Sequence, residues 1–145
     1  MEEEQRNVEA IRRWFREVWG ERREATIDEL FVPDGLAYGL GPEPIVGPPG
    51  FKPFFHLFCE MFSEISYEEI HCFGAGDRVA LHGRFRVVSS RTGAVAHILG
   101  GGVARLENGM LQEAWNAWDF LATAIELGCL PADTLERCLR GEKLS

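Results

Sequence analysis

Asp119 ends a stretch, Trp115, Ala117, Trp118 and Phe120, that is otherwise mostly apolar. A carboxylate in such surroundings must find partners or hold its proton more tightly than in water. A general base that removes a proton beside a carbonyl needs a site of that kind, ionised at neutral pH yet poorly solvated. The competing reading is that Asp119 caps a helix opening at Leu121, a position where aspartate is common. Both readings stand open on the residues alone.

Other reactive side chains are scattered. His56, His71, His82 and His97 show no triad or metal-ligand spacing, so each by itself reads as structural or exposed. His82 and His97 fall on strands expected to be neighbours, and either could donate to a developing enolate oxygen if it faced a pocket. Tyr38 is the best hydroxyl donor in the irregular 36–46 segment, unless it merely packs there. Asn116, beside two tryptophans, is a further candidate donor. No Gly-x-Ser-x-Gly nucleophile motif occurs. Cys59, Cys72, Cys129 and Cys138 form no Cys-x-x-Cys pair and read as reduced thiols behaving as small hydrophobes. The run Gly100-Gly101-Gly102 opens no helix and follows no phosphate-loop template, so it reads as a bend or bulge in a long strand that leaves space above the sheet.

These residues need elements to position them. Val8, Ile11, Phe15 and Val18, flanked by Trp14 and Trp19, predict an amphipathic helix over about 3–23. Ile27, Leu30 and Phe31 predict a short second helix that Pro33-Asp34-Gly35 stops. With Gly39, Gly41, Pro42 and Pro44, the 36–46 segment is at most an irregular or edge strand. Phe51, Phe54, Phe55, Phe58, Met61, Phe62 and Ile65 then lie at helical spacing. Most of that stripe is core, and part of it, Phe54, Phe58 and Phe62, is expected to wall a ligand cavity that Trp115 and Trp118 shape from the sheet.

From Ser66 the period switches to two, with strands expected over about 78–89, 94–106 and 110–120. Asn108-Gly109 makes a two-residue hairpin with Glu107 opposite Met110. Counting outward puts Gly102 opposite Trp115, Gly100 opposite Ala117 and Ile98 opposite Asp119. Glu113, Trp115 and Asp119 then share one face and His97, Asn116 and Trp118 the other, unless a glycine bulge shifts the register by one. A helix from Leu121 to Leu127, capped by Gly128, and a short helix after Pro131 close the chain. Helices first and a hairpin-connected sheet afterwards predict an α+β fold.

The chain's 145 residues suit one domain, 1–145, and 46% hydrophobic with 26% charged residues is an ordinary globular composition. A formal charge of −8 argues against nucleic acid as a partner. No stretch approaches the roughly 18 apolar residues of a membrane span, and the start, Met1-Glu2-Glu3-Glu4, is acidic where a secretory signal is basic, so a cytoplasmic protein is expected.

At Arg105-Leu106-Glu107-Asn108-Gly109, then Glu113-x-Trp115-x-x-x-Asp119, then Leu127-Gly128-x-Leu130-Pro131, the chain resembles the SnoaL-like polyketide cyclases of the nuclear transport factor 2-like superfamily. Val18-Trp19, Ile27-Asp28-Glu29-Leu30-Phe31, Gly47-Pro48, Gly76-Asp77-Arg78-Val79 and Thr92-Gly93 extend the likeness over nearly the whole chain. The resemblance implies a cone-shaped, curved antiparallel sheet with the N-terminal helices on its concave face, and a homodimer through the convex face. It also implies a cofactor-free enzyme in which Asp119 acts as base on a hydrophobic polyketide-type carbonyl or ester, allowing intramolecular aldol ring closure. Orientation alone contributes roughly 7–11 kcal/mol in favourable intramolecular cases.

Departures from the family narrow this. The loop that carries a histidine in many relatives is shortened to Val88-Ser89-Ser90-Arg91, leaving His97 as the substitute acid. Limonene epoxide hydrolase-like enzymes need an Asp two residues after an Arg, where this chain has Arg84-Phe85-Arg86. Ketosteroid isomerase-like enzymes need an aspartate near Tyr38 to Gly41, and none is present. The alternative from a different class is a non-catalytic small-molecule binder or dimeric scaffold, since one fold carries many roles.

Overall fold

Glu2, Glu3 and Glu4 open the first helix and Arg12 and Arg13 close it, an arrangement that complements the helix dipole. The computed structural model describes residues 2–145. Helix α1 (Glu2–Trp14) is followed without a break by a π-helical turn, Phe15–Gly20. The expected helix over 3–23 is therefore α-helical only to Trp14. Widened turns of this kind re-aim side chains and recur at functional sites. Here both Phe15 and Trp19 are carried over the sheet: Phe15 stacks on Tyr67 with centroids 4.6 Å apart, and Trp19 lies 5.7 Å from Phe58 and 6.3 Å from Phe85. Glu17 in this turn accepts from Arg13 Nε at 2.9 Å and Thr26 Oγ1 at 2.7 Å, tying α1 to α2 (Ala25–Leu30).

The remaining elements are β1 (Phe31–Tyr38), β2 (Ile45–Val46), α3 (Gly47–Met61), β3 (Phe62–Ala75), β4 (Arg78–Ser89), β5 (Val95–Glu107), β6 (Met110–Trp118), α4 (Phe120–Glu126) and α5 (Thr134–Leu139). The six strands form one curved sheet in the order β2-β1-β6-β5-β4-β3. It is antiparallel except where β1 runs parallel to β6, a pairing the sequence pattern concealed. The pair breaks register between Phe31 and Leu36, so Pro33, which has no N–H to donate, sits in the irregular stretch instead of ending the element.

The core lies between the helices and the concave face. Val18, Ile27, Val79, Val87 and Ala96 have no exposed surface, and Phe31 has 1%. Truncating a side chain buried like Phe31 to alanine costs about 3–5 kcal/mol. Along β5 the buried residues Ala96, Ile98, Ala104 and Leu106 alternate with outward-facing neighbours, as a half-covered sheet requires. No helix among the described residues is long and apolar enough to cross a membrane.

Asn108 (φ 53°) and Gly109 (φ 75°) make the expected hairpin turn, with Glu107 opposite Met110. The register then shifts between Leu106 and Arg105, which face Leu111 and Glu113, leaving Gln112 as the extra residue. Beyond it Gly102 faces Asn116, Gly101 faces Ala117 and Gly100 faces Trp118, one residue from the simple count. The bulge lets both Leu111 and Ala114 turn inward while Glu113 stays outside, where it accepts from Arg105 Nε at 2.9 Å. The shift thus falls on β6 and not in the glycine run, which pairs regularly on both sides.

Those glycines do not leave open space either. A Cβ on Gly101 would stand 1.9 Å from the Leu81 carbonyl oxygen, and one on Gly102 would stand 2.0 Å from that of Trp115. The three residues let the backbones of β4, β5 and β6 approach more closely than any side chain permits.

Candidate active site

Between the helices and the sheet lies an apolar cavity of about 90 Å³. Phe15 and Trp19 wall it from the π-helical turn, Phe54 and Phe58 from α3, Leu81 and Phe85 from β4, and Trp118 and Phe120 from the end of β6 onward. It is smaller than the roughly 150 Å³ void that accepts a benzene ring. A larger ligand must therefore displace aromatic side chains, and Phe54, Phe58 and Trp118, which are half-buried, are placed to give way.

No titratable side chain lines the cavity among the described residues, and its polar feature is Asn116. Trp118 Nε1 donates to Asn116 Oδ1 at 3.2 Å, and Asn116 Nδ2 donates to the Tyr38 carbonyl oxygen at 3.0 Å. These bonds fix the amide while leaving its second N–H to meet a ligand oxygen.

Asp119 follows Trp118 directly and precedes Phe120, so cavity-wall residues flank it on both sides. Its side chain is exposed and caps α4, accepting from Ala122 N–H at 3.0 Å, while its own N–H donates to the Leu99 carbonyl at 2.9 Å. The helix-cap arrangement foreseen in the sequence is present, and the carboxylate is not among the groups that line the cavity.

Of the expected site residues, Phe54, Phe58, Asn116 and Trp118 converge on the cavity. The others are corrected by the fold. His97 points to the opposite face, since its neighbours Ala96 and Ile98 are the inward ones, and its Nδ1 lies 3.1 Å from Glu126 Oε2. The imidazole hydrogen bond, aided by the His97 backbone N–H, draws the Glu126 carboxyl below its ordinary range, so His97 fastens α4 to β5. Tyr38 also faces outward, its ring stacked 6.1 Å from that of Trp115, and it reaches the site only through its backbone carbonyl. Trp115 borders the cavity with its backbone while its ring lies on the convex face under the Arg78 guanidinium. Phe62, 6% exposed, packs behind Phe58 in the core.

Phe15 and Trp19 were legible as core residues but not as cavity wall, because the widening of the helix after Trp14 has no sequence signature. Tyr67 was missed as well. Its hydroxyl is buried without a hydrogen-bond partner, and burial pushes its pKa well above the ordinary range. Burial likewise raises the Cys59 and Cys72 thiols, in keeping with inert cysteines. No group of three or more metal-ligating side chains occurs among the described residues.

Helices packed over a curved six-stranded sheet that encloses an apolar cavity make an α+β architecture shared with solved structures. Within it, the chain belongs to the SnoaL-like domain family, whose model matches residues 11–114. No curated protein matches the chain in sequence. Similar solved structures include a candidate SnoaL-like polyketide cyclase from Jannaschia sp. CCS1, with TM-score 0.78 and 20% identity over 88% of this chain and 95% of that one. IdmH, a candidate polyketide cyclase from Streptomyces antibioticus, superimposes with TM-score 0.75 and 19% identity over 84% and 98% of the two chains. An epoxide hydrolase of the LEH-like type from M. tuberculosis follows with TM-score 0.72 and 12% identity over 97% and 99%. In this chain Arg84 and Arg86 of β4 turn away from the cavity toward Glu68 and Glu64.

Proposed function

We propose that this protein binds a hydrophobic, polyketide-type carbonyl or ester compound in the apolar cavity and promotes its intramolecular aldol ring closure. The observation that carries the reading is an aromatic cavity holding one fixed amide, Asn116, with Asp119 placed in the chain directly between the wall residues Trp118 and Phe120. The apolar chain packs against Phe54, Phe58 and Trp118, and Asn116 donates its free N–H to a carbonyl oxygen. Asp119 takes a proton from the carbon beside the activated carbonyl. The resulting enolate attacks a second carbonyl of the same chain, and the alkoxide formed recovers the proton from Asp119. The proton and electron count closes without a cofactor.

A second reading has its own support. Because Asp119 already serves the α4 cap and no titratable group lines the cavity, the same pocket suits a non-catalytic carrier of an apolar molecule. Binding is common to both readings. Titration with a linear aryl β-ketoester should quench the fluorescence of Trp19 and Trp118, and Trp118→Ala and Phe58→Asp should each weaken that binding. Unchanged affinity in both variants would remove the cavity from the account.

The exposed row Phe73, Val103 and Trp115 on the convex face, 62%, 38% and 39% exposed, supports a homodimer through that face.

A further inference from the structure

His71 of β3 and His82 of β4 stand opposite each other on the convex face, away from the cavity. Their rings are stacked 8° from parallel, and their Nδ1 atoms lie 3.2 Å apart. A register shift brings them together: between Glu69 and His71 one residue, Ile70, is extra, and without it His71 would turn toward the core. Bulges that re-aim one side chain in this way are features of a fold and not defects. His82's other cross-strand neighbour is Gly101, which has no side chain to crowd the pair. The nearest guanidinium on the same face of β4, Arg84, is engaged by Glu68 at 3.2 Å.

We propose that His71 and His82 chelate a divalent transition-metal ion, with Zn²⁺ as the reference case. Zinc binds neutral imidazole nitrogen at about 2.0–2.1 Å, so two ligands at the tetrahedral angle stand about 3.3–3.4 Å apart. The pair already holds its Nδ1 atoms close to that separation. In the free protein one ring donates Nδ1–H to the other. To bind, that ring moves its proton to Nε2 and both rings turn out of parallel, so that the two Nδ1 lone pairs converge on the ion and no net proton is released. No third histidine, cysteine or carboxylate joins the two among the described residues. Beside the Phe73–Val103–Trp115 row, solvent fills the remaining positions while that face is uncovered, and such a site binds copper(II) more tightly than zinc.

The test is calorimetric titration of the full-length chain with zinc chloride in chelator-free buffer. One ion per chain is expected, with binding abolished in His71→Gln and in His82→Gln and retained in His56→Gln and His97→Gln. Nitrogen-15 spectra of the imidazoles should show zinc moving the Nδ1 resonances of His71 and His82 alone, a readout on the wild type that does not depend on any variant folding. No binding to the wild type overturns the proposal. So does binding that survives in both glutamine variants, which would place the ion on the cysteines or another histidine.

Discussion

The indole N–H of Trp118 is directed at Asn116 Oδ1 at 3.2 Å, two residues away on the same face of β6, so the amide of the cavity and one of its aromatic walls hold each other in place. Asn116 also donates to the Tyr38 carbonyl and thereby bridges β6 to β1. Asn116→Leu keeps the volume but leaves an indole N–H and a carbonyl without partners. It should destabilise the fold by about 1–3 kcal/mol and shift tryptophan emission, both measurable in one urea titration. Wild-type stability would show that the bridge is dispensable.

Gly101 tests the close approach of β4 and β5. In Gly101→Ala the new methyl would meet the Leu81 carbonyl oxygen at 1.9 Å unless the strands part. The expected loss is about 2 kcal/mol or more, measured by thermal unfolding. Gly76→Ala gives the contrast, because its Cβ meets nothing and only its φ of 61° opposes the change.

The α+β order, the helix-sheet division and the Asn108-Gly109 hairpin were legible because each has a local cause: period 3.6, period 2, and a turn that demands positive φ at two residues. Which face a β6 side chain takes was not, because a single bulge at Gln112 inverts every later residue and is decided by the simultaneous burial of Leu111 and Ala114. Tyr38 and His97 were misplaced for related reasons. The parallel β1–β6 pairing is a long-range event, and His97 is claimed by Glu126, 29 residues further on. Phe54 and Phe58 of α3 and Trp118 of β6 border the cavity because aromatic residues on inward faces must either fill a core or line a cavity.

Acid stability should carry the mark of Glu17. The Thr26 hydroxyl, with the Arg13 guanidinium second, lowers its pKa from an ordinary 4.5 to about 2. A carboxyl whose folded pKa is depressed contributes stability that is fully present above its unfolded value and is lost as pH falls through the folded one. The stability advantage of wild type over Glu17→Gln should therefore shrink between about pH 4.5 and pH 2. Denaturant titrations across that range check this, and a gap independent of pH would contradict the assignment.

The convex face predicts association. Val103→Glu places a charge in the exposed Phe73–Val103–Trp115 row without touching the cavity side of β5. Sedimentation equilibrium should show a dimer for the wild type and a monomer for the variant. A monomeric wild type would contradict the homodimer.

The most direct test of the central claim is the rate at which a linear β-polyketone ester cyclises on wild type and on Asp119→Asn, measured beside binding and melting temperature. Asparagine caps a helix as well as aspartate does, so affinity and stability should stay level while the rate falls by about 10²–10⁴. Ring closure at the wild-type rate in Asp119→Asn, or a wild type that binds the ester without cyclising it, would contradict the role of Asp119 and leave the cavity as a binding site alone.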